Sequence, residues 1–556
     1  MFEILSKKSK LVVFCLRYKH RYLSSSFLTI VISGCNSDKS TTVFEGLISS
    51  YSAPIPEYNT PTEPDPNFNL LKLPENSAYW TNSLLMEDGE EIVEQLRNDH
   101  NNTFIYVFPE VKPKYEMPNI RDWKVANAEI ITATREIFAN LDRTLLTNFK
   151  EGYDINTTNS ISISQSSQIN TSGFSFFPNL FYEVGSDVFI ANNYSKPKFL
   201  SDKLTNYDYE VLVHEIGHAL GLKHPFTPDR SNTAVLNEYE DSTIHTAMSY
   251  TDSEESFSGL FRPLDYMALT KLFDVNPEYN ASDDIYSFSS ETGIFVIDGS
   301  GSDTIETLKT TKNLYLDIRP GSHNFLGNKS EFITDPFQLT ISHGSDIENV
   351  ISGNGNDIII CNNLSNIVFT HAGDDQIYLG EGRDLINSGS GQDLIDLSEN
   401  SQAVDVIQID TDSLNDGFDT IYGFNQGPGG DVLDLRELVP EHISLLPVIL
   451  SENVPLGYIT NHILRISDPG FTSPQRVNEL FSVGDIYSTL HFTSDVSSFI
   501  MGSQSTGTGS NQFLFMVDKN GAEISYLHLA TFIGNYLDIE SWSSENFLFP
   551  ETSIVT

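Results

Sequence analysis

The spacing of apolar residues predicts helices and strands in the first half of the chain. Within residues 126–149, apolar residues recur near helical spacing, which predicts an amphipathic helix. Residues 161–164 alternate between apolar and polar, and residues 187–191 run apolar, so both segments favour strands. We therefore expect a mixed α+β domain here.

A nine-residue period dominates the following part of the chain. Acidic or amide residues recur nine positions apart, and a β-branched residue follows each of them two positions later. Each repeat is expected to make one turn and one short parallel strand, with the β-branched residue pointing inward. The alternative is a set of Asp-Gly turns between antiparallel strands, which the shared register disfavours. The acidic series is Asp357, Asn366, Asp375, Asp384 and Asp393, and the apolar series is Ile359, Val368, Ile377, Ile386 and Ile395.

Residues 213–225 contain the complete pattern His-Glu-x-x-His-x-x-Gly-x-x-His. His214 and His218 are four positions apart, so they share one face of a helix and can reach one ion. Gly221 is placed to end the helix, after which the chain can return His224 as a third ligand. Three protein ligands that leave one position for water are typical of catalytic zinc rather than of a structural site.

Glu215 directly follows the first histidine, where a carboxylate can take a proton from a water activated by zinc. The long motif followed by Thr-Ala-Met-Ser-Tyr resembles the metzincin zinc proteases, and Met-Ser-Tyr resembles their serralysin branch. The resemblance implies that Met248 forms an apolar floor below the ligands. It also implies that Tyr250 ligates zinc and stabilises the oxyanion. Without the resemblance, both residues are ordinary packed side chains.

The nonapeptides resemble the calcium-binding β-roll of repeats-in-toxin proteins. The resemblance implies that calcium binds between successive turns, because carboxylates and turn carbonyls are the hard oxygen ligands it prefers. The repeats lack the doubled first glycine, and we expect five or six turns. The expected calcium residues are Asp357, Asp375, Asp384, Asp393 and the earlier Asp303, together with the turn glycines Gly355, Gly382 and Gly391.

Composition supports cations as ligands and argues against nucleic acid. The 556 residues carry a net charge of -44, from 32 Lys and Arg against 76 Asp and Glu. Phosphate binding needs clustered cations, whereas this balance suits calcium or simply keeps the protein soluble. The three cysteines exclude a disulfide scaffold and a multi-cysteine metal site.

The N-terminal segment has the pattern of an export signal. A basic stretch, a short apolar run and Ile-Ser-Gly-Cys at 32–35 resemble a bacterial lipobox, which predicts lipidation of Cys35. The alternative is a misassigned start codon and a chance cysteine. Residues 36–68 are rich in Ser, Thr and Pro and are expected to form an extended tether.

The C-terminal region suggests a second export route. Residues 436–556 are rich in strand-forming and aromatic residues and resemble the uncleaved targeting region of type I secretion substrates. An ordinary β-sandwich or an adhesive module is the alternative. Lipidation and one-step secretion are different routes, so the protein is either tethered to the surface or carries one vestigial signal.

Together these patterns predict a multidomain extracellular zinc endopeptidase of a Gram-negative bacterium. We expect one catalytic zinc ion, several structural calcium ions, protein or peptide substrates and a monomer, with an outer-membrane tether through Cys35. The alternative is a calcium-dependent surface adhesin or interaction protein with a silent or narrowly specific protease domain. The expected domains are a signal (1–35), a tether (36–68), a zinc metalloprotease domain of α+β metzincin fold (69–285), a parallel calcium-binding β-roll with its cap (286–435) and a β-rich region (436–556).

Overall fold

A computed structural model provides the structure of the chain. The predicted signal with Cys35 and the tether at 36–68 lie outside the described residues. No described helix combines the length and the apolar composition that crossing a membrane requires. The structure describes residues 78–549, except 115–120, 169–170, 182–184, 193–204, 231, 252–259, 399–402, 415–416, 440–443, 446–448, 451–456, 460–461, 468–489, 493–497, 507–508, 521–522 and 535–536.

The described chain up to Phe273 contains five helices around a mixed sheet. The helices are α1 (Tyr79–Asn82), α2 (Gly89–Asp99), α3 (Ala128–Thr144), α4 (Asn206–Ala219) and α5 (Pro263–Phe273). The strands are β1 (Thr103–Val107), β2 (Arg121–Val125), β3 (Asn148–Gly152), β4 (Ser160–Ser167), β5 (Gly173–Ser175) and β6 (Val188–Ala191).

This sheet places a short antiparallel strand beside helix α4. Its order is β3-β1-β4-β6-β5, with β2 paired to β4; β5 is antiparallel to β6. The helix predicted over 126–149 spans Ala128–Thr144, and the Asn127 side chain caps it by accepting the Ile130 N–H. Its buried face joins the core formed by α4, α5 and the sheet.

Two long sheets follow, built mainly from three-residue parallel strands. Their first strands are β7 (Ile285–Ser287), β8 (Ile294–Val296), β9 (Thr304–Glu306), β10 (Leu314–Asp317), β11 (His323–Leu326), β12 (Gln338–Ile341), β13 (Asn349–Ile351) and β14 (Ile358–Ile360). They continue with β15 (Ile367–Phe369), β16 (Gln376–Tyr378), β17 (Leu385–Asn387), β18 (Leu394–Asp396), β19 (Val406–Gln408), β20 (Asp419–Tyr422) and β21 (Val432–Asp434).

Successive nonapeptides alternate between the two sheets, as expected of a parallel β-roll. Ile359 therefore pairs with Ile377, and Ile377 with Ile395, while Val368 pairs with Ile386 in the other sheet. These side chains are fully buried and stack in register. The period of nine sets this arrangement, because a strand residue returns to the same sheet only after two repeats.

The parallel stack is longer than the five or six turns that the repeats predict. The isolated copy at Asp303 joins it, since β9 pairs with β13, and an antiparallel insertion of β11 and β12 separates the two in sequence. Beyond Asp393, strands β19, β20 and β21 continue the stack although their spacing departs from nine. Periodicity therefore identified only the regular middle of the sheets.

Most of the C-terminal strands extend the same two sheets, whereas β24 (Gly457–Ile459) and β26 (Leu490–Phe492) pair with each other in a separate two-stranded sheet. Strand β29 (Glu523–Gly534) pairs in parallel with β20, and β30 (Phe547–Leu548) pairs in parallel with β21. The described strands are β22 (Ser444–Leu445), β23 (Ile449–Leu450), β24 (Gly457–Ile459), β25 (His462–Ser467), β26 (Leu490–Phe492), β27 (Ser498–Thr506), β28 (Gly509–Asn520), β29 (Glu523–Gly534) and β30 (Phe547–Leu548).

A substitution at Ile377 tests whether the stacked β-branched side chains form the core between the two sheets. Ile377→Ala is expected to lower the free energy of unfolding by about 2–5 kcal/mol, because a cavity replaces stacked methyl groups. Leu364→Ala, at a partly exposed turn residue, is the control and should change it by about 0.5 kcal/mol or less. Urea unfolding measures both, and equal effects would contradict an inward stack.

Candidate metal centre

The first two histidines of the motif lie on helix α4, and local hydrogen bonds define both ends of this helix. Thr205 and Asp208 form a reciprocal capping box at its start. The helix ends at Ala219, and Gly221 adopts a φ of 105°, a backbone conformation that disfavours any side chain. The Leu222 N–H then donates to the Gly217 carbonyl at 2.9 Å, which closes the turn that brings the chain back.

The structure brings the three motif histidines together. The Nε2 atom of His224 lies 3.1 Å from that of His214 and 3.0 Å from that of His218. The Nδ1 atoms of His214 and His218 lie 2.7 Å from the backbone carbonyls of Ala247 and Leu222, respectively. Donation from Nδ1 leaves the Nε2 lone pairs of these two neutral rings directed at one point.

Burial keeps these imidazoles neutral, which is the form that binds metal. It lowers the pKa of His214 and of His224 to about 4 and holds that of His218 well below its usual range. Neutral imidazole nitrogens that converge from a helix and a following turn are a zinc donor set. The residues present therefore fit a zinc ion.

Glu215 lies behind this cluster in a dry environment, with only 6% of its surface exposed. Burial raises the pKa of its carboxyl to about 8, against the opposing effect of a hydrogen bond from Ser175. Sequence reasoning did not select Ser175, because it lies on a distant strand and outside any motif.

Met248 packs against the helix at Gly217. It is fully buried, and a Cβ at Gly217 would come within 2.5 Å of its sulfur. Asp265 fixes this turn: its carboxylate accepts hydrogen bonds from the Thr246 hydroxyl at 2.6 Å and the Ala247 N–H at 2.8 Å. The role of Asp265 was not predicted, although it follows Pro263 in the N-terminal turn of α5.

An aromatic ring packs against each of the three histidines. Tyr250 stacks on His214 with centroids 5.4 Å apart and lies 4.7 Å from His224, while 65% of its surface stays exposed. The list is completed by Phe177 against His218 at 5.5 Å and Phe226 against His224 at 5.1 Å. Tyr250 thus lies beside the cluster and open to solvent, where a bound molecule can reach it.

In the parallel sheets, hydrogen bonds connect each predicted acidic residue to the one two repeats away. We call this series of connected carboxylates the ladder. Oδ1 of Asp375 accepts the Asp357 N–H at 2.7 Å, and Oδ1 of Asp393 accepts the Asp375 N–H at 2.9 Å. Asp384 likewise accepts the Asn366 N–H at 2.7 Å. Within the described residues, Oδ2 of Asp357, Asp375 and Asp393 is buried without a well-placed donor.

Buried carboxylate oxygens without donors are costly, and a cation with a preference for oxygen would compensate them. The glycines of the turns are compatible with a calcium site, because they allow successive turns to approach each other closely. Gly382 and Gly391 have φ values of 119° and 142°, and a Cβ at Gly391 would lie 2.0 Å from the Gly373 carbonyl oxygen. At Gly355, a Cβ would lie 2.5 Å from the Lys312 carbonyl oxygen. The donor set and the close turns therefore fit calcium.

Asp303 belongs to a separate cluster at the start of the stack. Carboxylate oxygens of Asp284, Asp298 and Asp303 lie within 4.8 Å of one another, and Glu348 accepts the Asp303 N–H at 2.8 Å. Sequence reasoning selected only Asp303, since the other residues have no repeat spacing. It also missed the ladder residues Asp405, Asp419 and Asp431, which lie just before or at the start of strands β19, β20 and β21.

Comparison with known proteins gives one family and a consistent set of relatives. The family described as "Peptidase M10 serralysin C terminal" matches residues 276–446, a range that begins after the histidine cluster. Serralysin of Proteus mirabilis is 32% identical over 182 residues, 28% of this chain and 36% of that protein. Serralysin B of Dickeya chrysanthemi is 29% identical over 217 residues, 34% of this chain and 43% of that protein.

A further relative carries an enzymatic name. Metallopeptidase AprA of Pseudomonas marginalis is 29% identical over 210 residues, 32% of this chain and 42% of that protein. The chain thus spans about two fifths of the length of the relatives it matches. A three-histidine centre followed by acidic parallel β-stacks defines the class, a repeat protein with a candidate metal site. The comparisons support a serralysin-like family for it.

The buried ladder makes stability depend on pH when metal is absent. Burial raises the pKa of Asp375 to about 8 and those of Asp393 and Asp303 to about 7, from an ordinary 3.8. Raised carboxyl pKa values favour the folded state at low pH, so this stability is lost as pH rises from about 4 to about 8. In metal-free buffer, we expect the free energy of unfolding to fall by a few kcal/mol across this range.

The Asp375→Asn variant provides the control for this pH dependence. Asparagine cannot ionise, so its urea unfolding should show a smaller fall over the same range. Identical pH profiles for the two proteins would show that Asp375 does not contribute.

Proposed function

We propose that this protein is an extracellular zinc-dependent endopeptidase of the metzincin type, similar to serralysins. The observation that carries the proposal is the convergence of the Nε2 atoms of His214, His218 and His224 at 3.0–3.1 Å, with buried Glu215 next to the first ligand. Histidine ligands beside a general base are the requirement for hydrolysis by activated water.

The proposed residues divide the chemistry between them. Bound zinc supplies a Lewis acid and lowers the pKa of a water to about 7. Glu215 takes a proton from the attacking water and later passes it to the leaving amine nitrogen. Burial raises the pKa of Glu215 to about 8 when zinc is absent, whereas the positive charge of a bound zinc ion would lower it and favour the carboxylate form that accepts the proton.

Tyr250 is proposed as the electrophilic partner of Glu215 and as an additional zinc ligand at rest. Partial burial of its hydroxyl, followed by the proximity of Glu215, raises the pKa of its phenol, so the hydroxyl keeps its proton at neutral pH. A neutral hydroxyl can donate to the carbonyl oxygen of the peptide as that oxygen becomes negative. Met248 would hold the histidine plane from below, and Gly221 would allow the turn to His224.

The substrate can bind at the edge of the sheet that strand β5 forms. Strand β5 is the last strand of its sheet among the described residues, and it lies against α4 next to Glu215. An extended peptide can pair with such an edge through main-chain hydrogen bonds. This arrangement favours unfolded or flexible protein segments as substrates.

The remaining regions are proposed to stabilise and deliver this centre. Calcium would bind the ladder of Asp357, Asp375, Asp384 and Asp393 and the cluster around Asp303, and the β-roll would fold outside the cell. The domain limits are those expected from sequence: 69–285 for the protease and 286–435 for the roll with its cap. Lipidated Cys35 would tether a monomer to the outer membrane, and region 436–556 would serve as the secretion domain if the type I route is used.

Glu215→Gln tests the proposed reaction. The variant is expected to keep its zinc and its fold but to lose casein-hydrolysing activity by about 100-fold or more, because the amide cannot accept the proton. Activity and zinc content are measured on the same calcium-containing samples. Glu91→Gln, on the exposed face of α2, is the matched control and should retain full activity.

The outcomes separate the enzyme from its rival. If the wild type binds zinc and cleaves neither casein nor a peptide library, the broad peptidase is wrong. A calcium-dependent surface protein with a silent or narrowly specific domain would then be favoured. If Glu215→Gln cleaves as the wild type does, Glu215 is not the base.

Calcium addition tests the proposed ladder. Millimolar calcium is expected to raise the thermal midpoint of the wild type at pH 8, since the ion binds the folded state only. Asp375→Asn should weaken this shift, because the lost carboxylate removes a charged ligand. Asp374→Asn, at the neighbouring exposed carboxylate, is the control and should leave the shift largely intact. Equal shifts in the two variants would exclude Asp375 as a ligand.

A further inference from the structure

Strand β5 turns two small residues towards the active-site helix. Along this strand, Gly173 and Ser175 face Glu215, while Phe174 points to the opposite side and stacks on Phe189 with centroids 5.0 Å apart. This alternation follows from the period of two in a strand. The local pattern of small, large and small residues therefore leaves room for a carboxylate on one face only.

Ser175 makes a direct contact with the proposed general base. Its hydroxyl donates to Oε2 of Glu215 at 2.9 Å. Among the described residues, it is the side chain that donates to this carboxylate. When the carboxyl is ionised, as a proton acceptor has to be, a hydrogen bond to it is stronger than one between neutral groups, so this bond can decide which rotamer the side chain adopts.

Gly173 lets the strand approach the other carboxylate oxygen closely, with no side chain between them. A Cβ at this position would lie 2.8 Å from Oε1 of Glu215 and 2.8 Å from its Cγ. The absence of a side chain keeps that space open. One oxygen of Glu215 thus accepts a hydrogen bond from Ser175, and the other lies against the backbone of Gly173, which has no side chain to displace it.

The backbone of Ser175 is held by the pairing of strand β5 with strand β6. Ser175 is opposite Val188, and Gly173 is opposite Ile190, in the antiparallel pair of β5 and β6. Val188 and Ile190 are fully buried in the core of the sheet. The pairing fixes the backbone of Ser175, so its hydroxyl can move mainly by rotation about the Cα–Cβ bond. The hydrogen bond to Glu215 therefore links the sheet to the helix.

We propose that Ser175 is a positioning residue for the peptidase reaction. Its hydroxyl fixes Glu215 through Oε2, so that Oε1 remains free to take the proton of the attacking water. This inference rests on the proposed function, because it concerns the base of that reaction. Without the hydroxyl, the carboxylate of Glu215 would adopt other rotamers more often and would spend less time in the productive orientation.

Ser175→Ala is the first test. It is expected to lower kcat for a fluorogenic peptide by about ten-fold, as the loss of a hydrogen bond to a charged group implies, with KM changed by about two-fold or less. Zinc content should stay at the wild-type level. Ser175→Thr restores the hydroxyl and should recover most of the lost kcat.

Ser172→Ala provides the matched control on the same segment. The Ser172 hydroxyl also makes one side-chain hydrogen bond, to the Tyr207 hydroxyl at 3.0 Å, and has no contact with Glu215. Its loss should leave kcat within about two-fold of the wild type. If Ser172→Ala and Ser175→Ala lower kcat equally, the effect is one of general stability and the proposal is wrong.

Binding of a peptide hydroxamate gives a readout that does not depend on turnover. Its hydroxyl would hydrogen-bond to Glu215, so Ser175→Ala should weaken binding by about ten-fold in the wild type. The same change should have no effect in a Glu215→Ala background, where no carboxylate remains to be positioned. An equal loss in both backgrounds would overturn the proposal.

The two levels of failure are distinguishable. If the wild type cleaves no substrate, the proposed function fails, whereas the hydroxamate cycle still reports whether Ser175 positions Glu215. If the wild type cleaves and Glu215→Gln does not, but Ser175→Ala retains full kcat, only the role of Ser175 is refuted.

Discussion

The turn after helix α4 is the constraint on which the candidate centre depends. It reverses the chain within a few residues and returns His224 to the helix face that holds His214 and His218. The left-handed conformation of Gly221 makes this reversal possible. Met248 against the helix and strand β5 beside it help to bury His214 and Glu215. The neutrality of the His214 imidazole and the raised carboxyl pKa both follow from that burial.

The acidic ladder poses the opposite electrostatic problem in the second half of the chain. Each carboxylate uses one oxygen to accept a backbone N–H from the turn two repeats earlier, so the acids are part of the turn structure itself. The second oxygen is left in a buried position, where its charge has to be neutralised by protons or cations. The stability of the stack and its response to ions are therefore consequences of one geometry.

Glu240 links these two parts through paired hydrogen bonds. It is fully buried in the segment between His224 and Met248, and it accepts the Tyr79 hydroxyl at 2.7 Å and the Ile333 N–H at 2.9 Å. Tyr79 lies in α1 and Ile333 in the insertion of the β-stack. A carboxylate with two donors from distant segments resists displacement. The loop that precedes the Met248 turn is thus supported by both the helical region and the parallel sheets.

Local patterns determined much of this protein without reference to its tertiary structure. Helical spacing of His214 and His218, the glycine after them and the nine-residue period all describe near neighbours in the chain, so they predicted the cluster of three histidines and the regular strands. Ser175, Asp265 and Glu240 could not be found in this way. Each acts on a residue far away in sequence, and only the packing of strands and helices brings a serine, an aspartate or a glutamate of ordinary local sequence within hydrogen-bonding distance of its partner.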